Sequence, residues 1–411
     1  MGRMVKELNY KHTLYASYTG FITQAIVNNL APLLFLTFQN TFSISLAQIG
    51  LLVSINFCVQ MVVDFLATRF VDRLGYRVCI VTAHILAAAG VAGLGIFPYL
   101  LPSAYAGLML SVIIYGIGGG LIEVLISPIV EALPGEEKAS AMSLLHSFYC
   151  WGHVGVVLLS TLFFVTAGIG HWYILPLLWA IVPLCNTFVF AKVPLCKLVE
   201  DQEKMSVKGL IGLKLFWMFI LLMICSGAAE QAMVQWASLF AESGLGVSKT
   251  VGDLLGPCAF AVLMGLSRVF YGKFGSRIDL KRFIRLSSIL CIGSYLLAAL
   301  SPWPLLSLAG CALCGLSVGI MWPGTLSLSS RFCPQGGTAM FALLALAGDV
   351  GCALGPGLVG RISTAVEQGK AAWSQVLFPG QPLAEIGLKT GLTVAVIFPL
   401  VMFAVVWGVR K

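Results

Sequence analysis

Acidic side chains occur inside long apolar stretches of this 411-residue chain. A charge near the centre of a bilayer costs roughly 2.5 to 3.5 kcal/mol on insertion scales, so an acid there must face a cavity, find a partner or take up a proton. Glu123, Glu230 and Asp349 lie well inside such stretches, and Asp64 lies toward the end of another. These four acids are the first candidates for moving protons or for binding a polar solute inside a membrane.

One face of a predicted helix carries Glu123, Ser127 and Glu131, which are spaced i, i+4 and i+8. Pro128 loosens the backbone between them because it removes a helical hydrogen bond. In a low dielectric the carboxyl of Glu123 favours its neutral form, so it could exchange a proton near neutral pH. The alternative is a permanently neutral acid bonded to a neighbouring helix. Glu131, near the helix end, fits a solvated position better.

The next predicted helix carries His146, Tyr149 and His153 along one face, at i, i+3 and i+7. An imidazole can donate or accept a hydrogen bond and titrates near neutral pH, which suits a sugar hydroxyl or a proton relay with Glu123. His146 is therefore a candidate for proton coupling and for substrate binding, and Tyr149 for substrate binding. Helix packing by hydrogen bonds is the alternative, and it is the better expectation for His153 and His84.

A short stretch of the seventh predicted helix has the composition of a sugar site. Amides and carboxylates bind hydroxyls in pairs, and an aromatic face covers the apolar side of a pyranose. The candidates in this stretch are Glu230, Gln231, Gln235 and Trp236. Elsewhere in the chain, Gln24, Asn28 and Trp322 are further substrate-binding candidates. Bonding between helices by the amides, and packing by the rings, remain alternatives.

Two other polar features favour a role in opening and closing a path. Asn56, Gln60 and Asp64 form an i, i+4, i+8 line that approaches a basic turn, and Asp64 could contact another helix there or pair with Arg69. Asp349 is flanked by glycines, where helices can approach closely, so interdomain contact and proton coupling are both open for it.

The composition of the chain predicts the helices that position these residues. Apolar residues make up 59% of the chain and charged residues 10%, against about 25% charged in ordinary soluble domains. Stretches of about 20 apolar residues, enough to cross a bilayer, recur along the chain and predict twelve transmembrane helices. Their predicted bounds are 13–36, 47–68, 77–98, 104–130, 141–168, 172–191, 214–240, 251–271, 283–301, 305–328, 338–361 and 387–408.

The basic residues predict the orientation of these helices. If the N-terminus is cytoplasmic, all of the 25 Lys and Arg residues lie on that side except Lys249, Arg361, Lys370 and Lys389. By the positive-inside rule, both termini are then cytoplasmic in a multi-pass protein of the cell membrane. The net charge of +8 therefore reports topology and needs no nucleic acid partner.

Several classes of function have no support in the sequence. The twelve Cys residues are scattered, without metal-ligand spacing, and we read them as core residues. There is no nucleophile with a base, no metal cluster and no phosphate-binding loop, so we predict neither an enzyme nor a metal or other cofactor.

A basic turn occurs twice, 200 residues apart. Asp72-Arg73-Leu74-Gly75-Tyr76-Arg77 corresponds to Gly272-Lys273-Phe274-Gly275-Ser276-Arg277, and each copy follows an even-numbered predicted helix. The duplication predicts two pseudo-symmetric six-helix domains, at 1–191 and 214–411, joined by a polar cytoplasmic linker at 192–213.

The first turn resembles the loop between helices 2 and 3 of the major facilitator superfamily, although Thr68 replaces its first glycine. The resemblance implies an all-α integral membrane protein in which the turn latches one conformation. The gating residues it implies are Asp72, Arg73, Gly75 and Arg77, and Asp64 is a further gating candidate from its place on the polar line that approaches this turn. The alternative for the arginines is that they only hold the loop on one side of the membrane.

Three shorter segments are similar to the fucose-galactose-glucose:proton symporter group. They are Asn28-Asn29-Leu30, Gly119 to Glu123 with Ser127-Pro128, and Leu145 to Gly152. The resemblance implies that Glu123 couples protons and binds the sugar, and that His146 and Tyr149 lie near the sugar. Pro32 stands where that group has a second acid in helix 1, so coupling by the same acid pair is impossible here.

We therefore predict a secondary active transporter, expected to be monomeric, that moves a small polar solute, a sugar, by alternating access with proton symport. A proton-coupled efflux antiporter for drugs or metabolites is the alternative. The predicted partners are the solute, the proton and membrane lipid.

Overall fold

The computed structural model describes residues 8–134, 138–196, 207–274, 278–333, 337–371 and 373–408, except for some side chains. In these ranges the chain is helical, and twelve helices are long and apolar enough to cross a membrane. We name these α1 to α12. The prediction of an all-α protein with twelve transmembrane helices is confirmed.

The first six helices begin within three residues of their predicted starts, whereas α1 and α2 end six residues beyond their predicted ends. They are α1 at Tyr10–Asn29 with continuations at Ala31–Leu34 and Phe35–Phe42, α2 at Leu46–Leu74, α3 at Tyr76–Leu100, α4 at Ala104–Glu131, α5 at Lys138–Ala167 and α6 at Ile174–Lys192. The first helix was predicted to end at residue 36, shortly before the polar residues 39–41. The helix continues through these residues to Phe42.

The second six helices contain more interruptions. They are α7 at Lys214–Val234, Ala237–Leu239 and Phe240–Gly244, α8 at Lys249–Asp253, Leu254–Cys258 and Ala259–Phe274, α9 at Leu280–Leu300, α10 at Pro304–Val318 and Met321–Phe332, α11 at Gly337–Glu367, and α12 at Leu383–Ala395 and Ile397–Gly408. The segments Phe240–Gly244 and Leu254–Cys258 are π-helical turns, a distortion frequent at functional sites.

Gly75 makes the turn between α2 and α3 a single residue long. Its φ of +86° is a conformation that glycine adopts without steric cost. The guanidinium of Arg77 then donates to the carbonyls of Phe190, Ala191 and Val193 at 2.8 to 3.0 Å, which ties the turn to the end of α6. Arg73 is exposed. The side chain of Asp72 and residues 275–277 of the second turn lie outside the described part.

Glycines allow α7 and α11 to pack backbone against backbone. A Cβ added to Gly351 would lie 2.0 Å from the carbonyl oxygen of Ile224, and one added to Gly227 would lie 2.2 Å from that of Gly348. The ring of Trp322 from α10 covers Gly348. This close packing fixes the position of Asp349, which lies between Gly348 and Gly351.

We predict that Gly351→Ala destabilises the protein, because the added methyl group meets backbone atoms that cannot move away. Overpacking of this kind costs about 1 to 3 kcal/mol. The measurement is the thermal unfolding midpoint of the purified protein in detergent.

Gly293→Ala is the matched control, since a Cβ there has no neighbour within 4 Å and alanine favours the helix. Its midpoint should equal or exceed that of the wild type. Equal midpoints for the two variants would contradict the account of α7–α11 packing.

Candidate functional site

A network of amide side chains occupies the middle of the helices α1, α2 and α7. Asn28 Oδ1 accepts hydrogen bonds from Asn56 Nδ2 and from Gln60 Nε2, each at 3.0 Å. Gln24 Nε2 donates to Gln60 Oε1 at 2.8 Å. All four side chains are buried, so in this low-dielectric region each bond spares the cost of an unsatisfied polar group.

Glu123 joins this network from α4. Its carboxylate oxygen Oε2 accepts a hydrogen bond from Gln24 Nε2 at 3.0 Å, and the residue is half-buried. Glycines make the contact possible, since a Cβ on Gly119 would lie 3.0 Å from Gln24 Oε1. A protonatable group therefore lies one hydrogen bond from the amide network.

The network extends into the second six helices through Gln235. Its Nε2 donates to the backbone oxygen of Asn28 at 2.9 Å and to Gln231 Oε1 at 2.8 Å. Gln231 Nε2 in turn donates to Glu230 Oε1 at 3.3 Å. Contacts through Gln60 thus link the sequence-predicted residues of both groups of helices into one chain: Gln24, Asn28, Glu123, Glu230, Gln231 and Gln235.

Glu230 faces a positive charge that sequence reasoning had not singled out. Arg268 of α8 places Nη2 3.6 Å from Glu230 Oε2. In the sequence, Arg268 is the one arginine of the predicted eighth helix. The positive-inside rule counts it among the cytoplasmic charges, which hides its role.

His146 and Tyr149 both lie on α5. Tyr149 Oη accepts from Asn29 Nδ2 at 3.3 Å. His146 is exposed, and its ring packs edge-on against Phe21 of α1 at 5.1 Å. Glu123 and His146 therefore have different immediate neighbours, and a direct proton relay between them stays a prediction. His153 is buried, so the predicted α5 stripe does not present one uniform surface.

The two tryptophans predicted to contact substrate, Trp236 and Trp322, differ in how far they are buried. Trp236 has no exposed surface, and its indole N–H donates to the carbonyl oxygen of Pro356 at 3.1 Å, so in this conformation the ring packs α7 against α11. Trp322 is half-buried and covers Gly348 beside Asp349.

Two acids from the two groups of helices meet beside Glu123. The carboxyl groups of Asp64 on α2 and Asp349 on α11 lie close to each other. One oxygen of each group, Oδ1 of Asp64 and Oδ2 of Asp349, is buried without a hydrogen-bond partner among the described residues. Asp64 thus lies beside Asp349, whereas the Asn56 and Gln60 of its predicted line belong to the amide network.

A cluster around Lys249 connects the two groups of helices nearer the end opposite to Gly75. Lys249 Nζ donates to the backbone oxygen of Leu33 on α1 at 2.6 Å, and it pairs with Asp253 at 3.1 Å and with Glu242 at 3.3 Å. It also lies 5.1 Å from the ring centre of Phe164 on α5. Leu33 lies in the 3-10 segment Ala31–Leu34, which interrupts α1.

The model of the Major Facilitator Superfamily matches residues 16–356. The chain belongs to this superfamily. It is therefore a multi-pass membrane transporter rather than an enzyme.

Three comparisons illustrate the resemblance. "Membrane protein MosC" of Rhizobium meliloti is 23% identical over 337 residues, which cover 81% of this chain and 79% of that protein. The crystal structure of a bacterial homologue of the human lysosomal transporter Spinster, in an inward-facing and occupied conformation, has a TM-score of 0.75 at 16% identity and covers 97% of this chain and 96% of that chain. A variant of the E. coli fucose:proton symporter has a TM-score of 0.65 at 16% identity and covers 97% and 98%. Both structural likenesses concern the fold.

We predict that Lys249→Met destabilises the protein by about 3 to 5 kcal/mol, the usual effect of removing one member of a buried ion pair. The physical reason is that Asp253, which is fully buried, would keep its charge without a counter-charge. Thermal unfolding in detergent measures the effect.

The control is Lys370→Met, because Lys370 is exposed. A second comparison is Lys249→Met with Asp253→Asn, in which the double variant should recover part of the lost stability. If Lys249→Met unfolds at the wild-type temperature, the cluster does not hold these helices together.

Proposed function

We propose that this transporter moves a small polar solute of the sugar class by alternating access, with symport of a proton. The observation that carries the proposal is the continuous set of amides and carboxylates from Gln24 and Glu123 to Gln235 and Glu230, which spans both groups of helices. A solute that bonds to both groups can bias their relative position through its binding energy.

Unsatisfied acceptors in this set favour a ligand rich in hydroxyl groups. Gln24 Oε1 and Asn56 Oδ1 are buried and have no hydrogen-bond partner among the described residues. A buried acceptor without a donor costs roughly 1 to 3 kcal/mol, and a sugar offers several O–H donors. Trp322 and Tyr149 add ring surface for the apolar side of a pyranose.

The proposed proton acceptor is Glu123. It is half-buried and bonded to Gln24, so its charge state and the arrangement of the amides are linked through one contact. Asp349, which lies close to Asp64, is the second proposed proton site, and His146 a third. Solved structures of similar fold include a fucose:proton symporter, which is compatible with this coupling.

Alternating access also assigns roles to the contacts between the two groups of helices. We propose that the bonds of Lys249 to Leu33 and of Ser54 Oγ to the Ala353 backbone oxygen, at 2.8 Å, break when that side opens. The turn with Asp72, Arg73, Gly75 and Arg77 would latch the other conformation. We further propose domains at 1–191 and 214–411, a linker at 192–213, cytoplasmic termini, a cell-membrane location and a monomeric state.

The experiment is uptake by the purified full-length protein in liposomes. A panel of labelled neutral hexoses, pentoses and sugar acids is offered with and without an inward proton gradient. We expect at least one of these sugars to accumulate above equilibrium, and a protonophore to abolish the accumulation. If no sugar enters under either condition, the proposal is wrong, and export of a dye would then favour the efflux antiporter.

We predict that Glu123→Gln separates coupling from binding. The variant should lose accumulation driven by the gradient, because glutamine cannot exchange a proton, while sugar exchange across the membrane continues. Glu385→Gln is the matched control, since Glu385 is exposed at the start of α12, and it should accumulate sugar as the wild type does. Gradient-driven accumulation in Glu123→Gln would rule out Glu123 as the coupling acid.

A further inference from the structure

Arg268 is a permanently charged group with few partners inside the membrane-spanning part of α8. A guanidinium carries five N–H donors in a planar fork. Among the described residues, its partners are Glu230, at 3.6 Å, and the thiol of Cys150. Its Nε is buried and has no hydrogen-bond partner in the described part of the chain. A buried donor without an acceptor is costly, so this side chain has capacity to bind a further acceptor.

The contact of Arg268 with Glu230 is loose. Charge-assisted N–H···O bonds are ordinarily about 2.7 to 2.9 Å long, and this pair is separated by 3.6 Å. Glu230 is also drawn toward its own helix, because its other oxygen accepts from Gln231. An anion with better geometry could therefore take over the fork of Arg268.

The position of Arg268 makes it accessible to a solute between the two groups of helices. Cys150, its second partner, lies on α5, and His146, one turn away on the same helix, is exposed. Arg268 itself is only partly buried. A solute that contacts Tyr149 and Gln231 would meet this charge.

We infer that Arg268 binds an acidic group of the transported solute, so that the substrate is a sugar acid: a small polyhydroxylated carboxylate. The inference rests on the proposed function and specifies its substrate class. A carboxylate matches the guanidinium in a bidentate manner that a neutral hydroxyl cannot reproduce. The hydroxyls of the same solute would bond to the amide network.

Binding of an anion at Arg268 has a consequence for Glu230. Once its counter-charge is engaged elsewhere, a buried carboxylate is better accommodated with a proton than as an isolated charge. The proton comes from water and the solute brings the negative charge, so the two bind together. Glu230 and the solute thus compete for Arg268.

The test uses two sugars that differ in one group, D-galactose and D-galacturonate. Their binding to the full-length protein in detergent is measured by the shift of the thermal unfolding midpoint with concentration. We expect galacturonate to bind and galactose to bind more weakly. Arg268→Gln should weaken galacturonate binding about tenfold or more, as expected for loss of a charged hydrogen bond. Arg285→Gln is the control, because it also removes an arginine charge. Arg285 lies on α9, with its guanidinium carbon 5.0 Å from the ring centre of Trp407 on α12.

Glu230→Gln distinguishes competition from a structural ion pair. If Glu230 competes for Arg268, this variant binds galacturonate at least as tightly as the wild type. If it loses as much affinity as Arg268→Gln, the inference is overturned. Should Arg268→Gln fail to fold, Arg268→Lys keeps the charge without the fork and should show a smaller loss; unchanged affinity would count against the inference.

Uptake of both sugars into liposomes separates this inference from the proposed function. Accumulation of galactose with galacturonate neither bound nor transported would overturn the sugar-acid assignment and leave sugar transport standing. Accumulation of galacturonate that depends on Arg268 supports both. If no sugar of the wider panel binds or enters, both are wrong.

Discussion

The lack of water inside a bilayer determines how this chain can use polar side chains. Each buried donor or acceptor there needs a partner supplied by the protein or by what passes through it. Asn28 illustrates the constraint, since its side-chain oxygen accepts two bonds from α2 and its backbone oxygen accepts one from α7. A residue bonded in this way fixes the relative positions of three helices, so the same bonds that stabilise the bundle also shape the site.

The hydrogen-bond partners of these polar side chains come from both groups of six helices, so movement of one group against the other must break some of the bonds. Several polar contacts between the groups are single hydrogen bonds to carbonyl oxygens: Gln235 to a carbonyl of α1, Ser54 to a carbonyl of α11, and Lys249 to the carbonyl of Leu33. Each can be exchanged for water when a side opens, because carbonyl groups and small polar side chains are readily solvated. The apolar and glycine-mediated packing of α7 on α11 lies within one group and can persist through the change.

Much of this architecture could be predicted from the sequence, because length, hydropathy and the placement of lysine and arginine are one-dimensional signals. The twelve helices and the tight turn at Gly75 belong to this class. The interruptions of α7 and α8 by π-helical turns do not, since they depend on packing. Periodicity also gives the face of a residue without its partner. It placed Asn56, Gln60 and Asp64 on one line, and only the rotation of α2 against α1 shows that the two amides bond Asn28 while Asp64 meets Asp349.

The role of Arg268 could not be predicted from the sequence, for a physical reason. In the sequence, an arginine toward the end of a transmembrane helix is indistinguishable from one that reaches into the headgroup region, where it contributes only to orientation. Its role depends on whether α7 and α5 present partners at the same depth, and Glu230 and Cys150 do so. With Arg268 present, the acids of the site are no longer equivalent: Glu230 lies beside a counter-charge, Asp64 and Asp349 lie close to each other, and Glu123 accepts a hydrogen bond from the amide of Gln24. A negative solute should therefore act first on Glu230, and a change in proton concentration alone should act first on Glu123. In this arrangement substrate binding and proton binding begin at different acids, and the amide chain between them is the physical route by which one could affect the other.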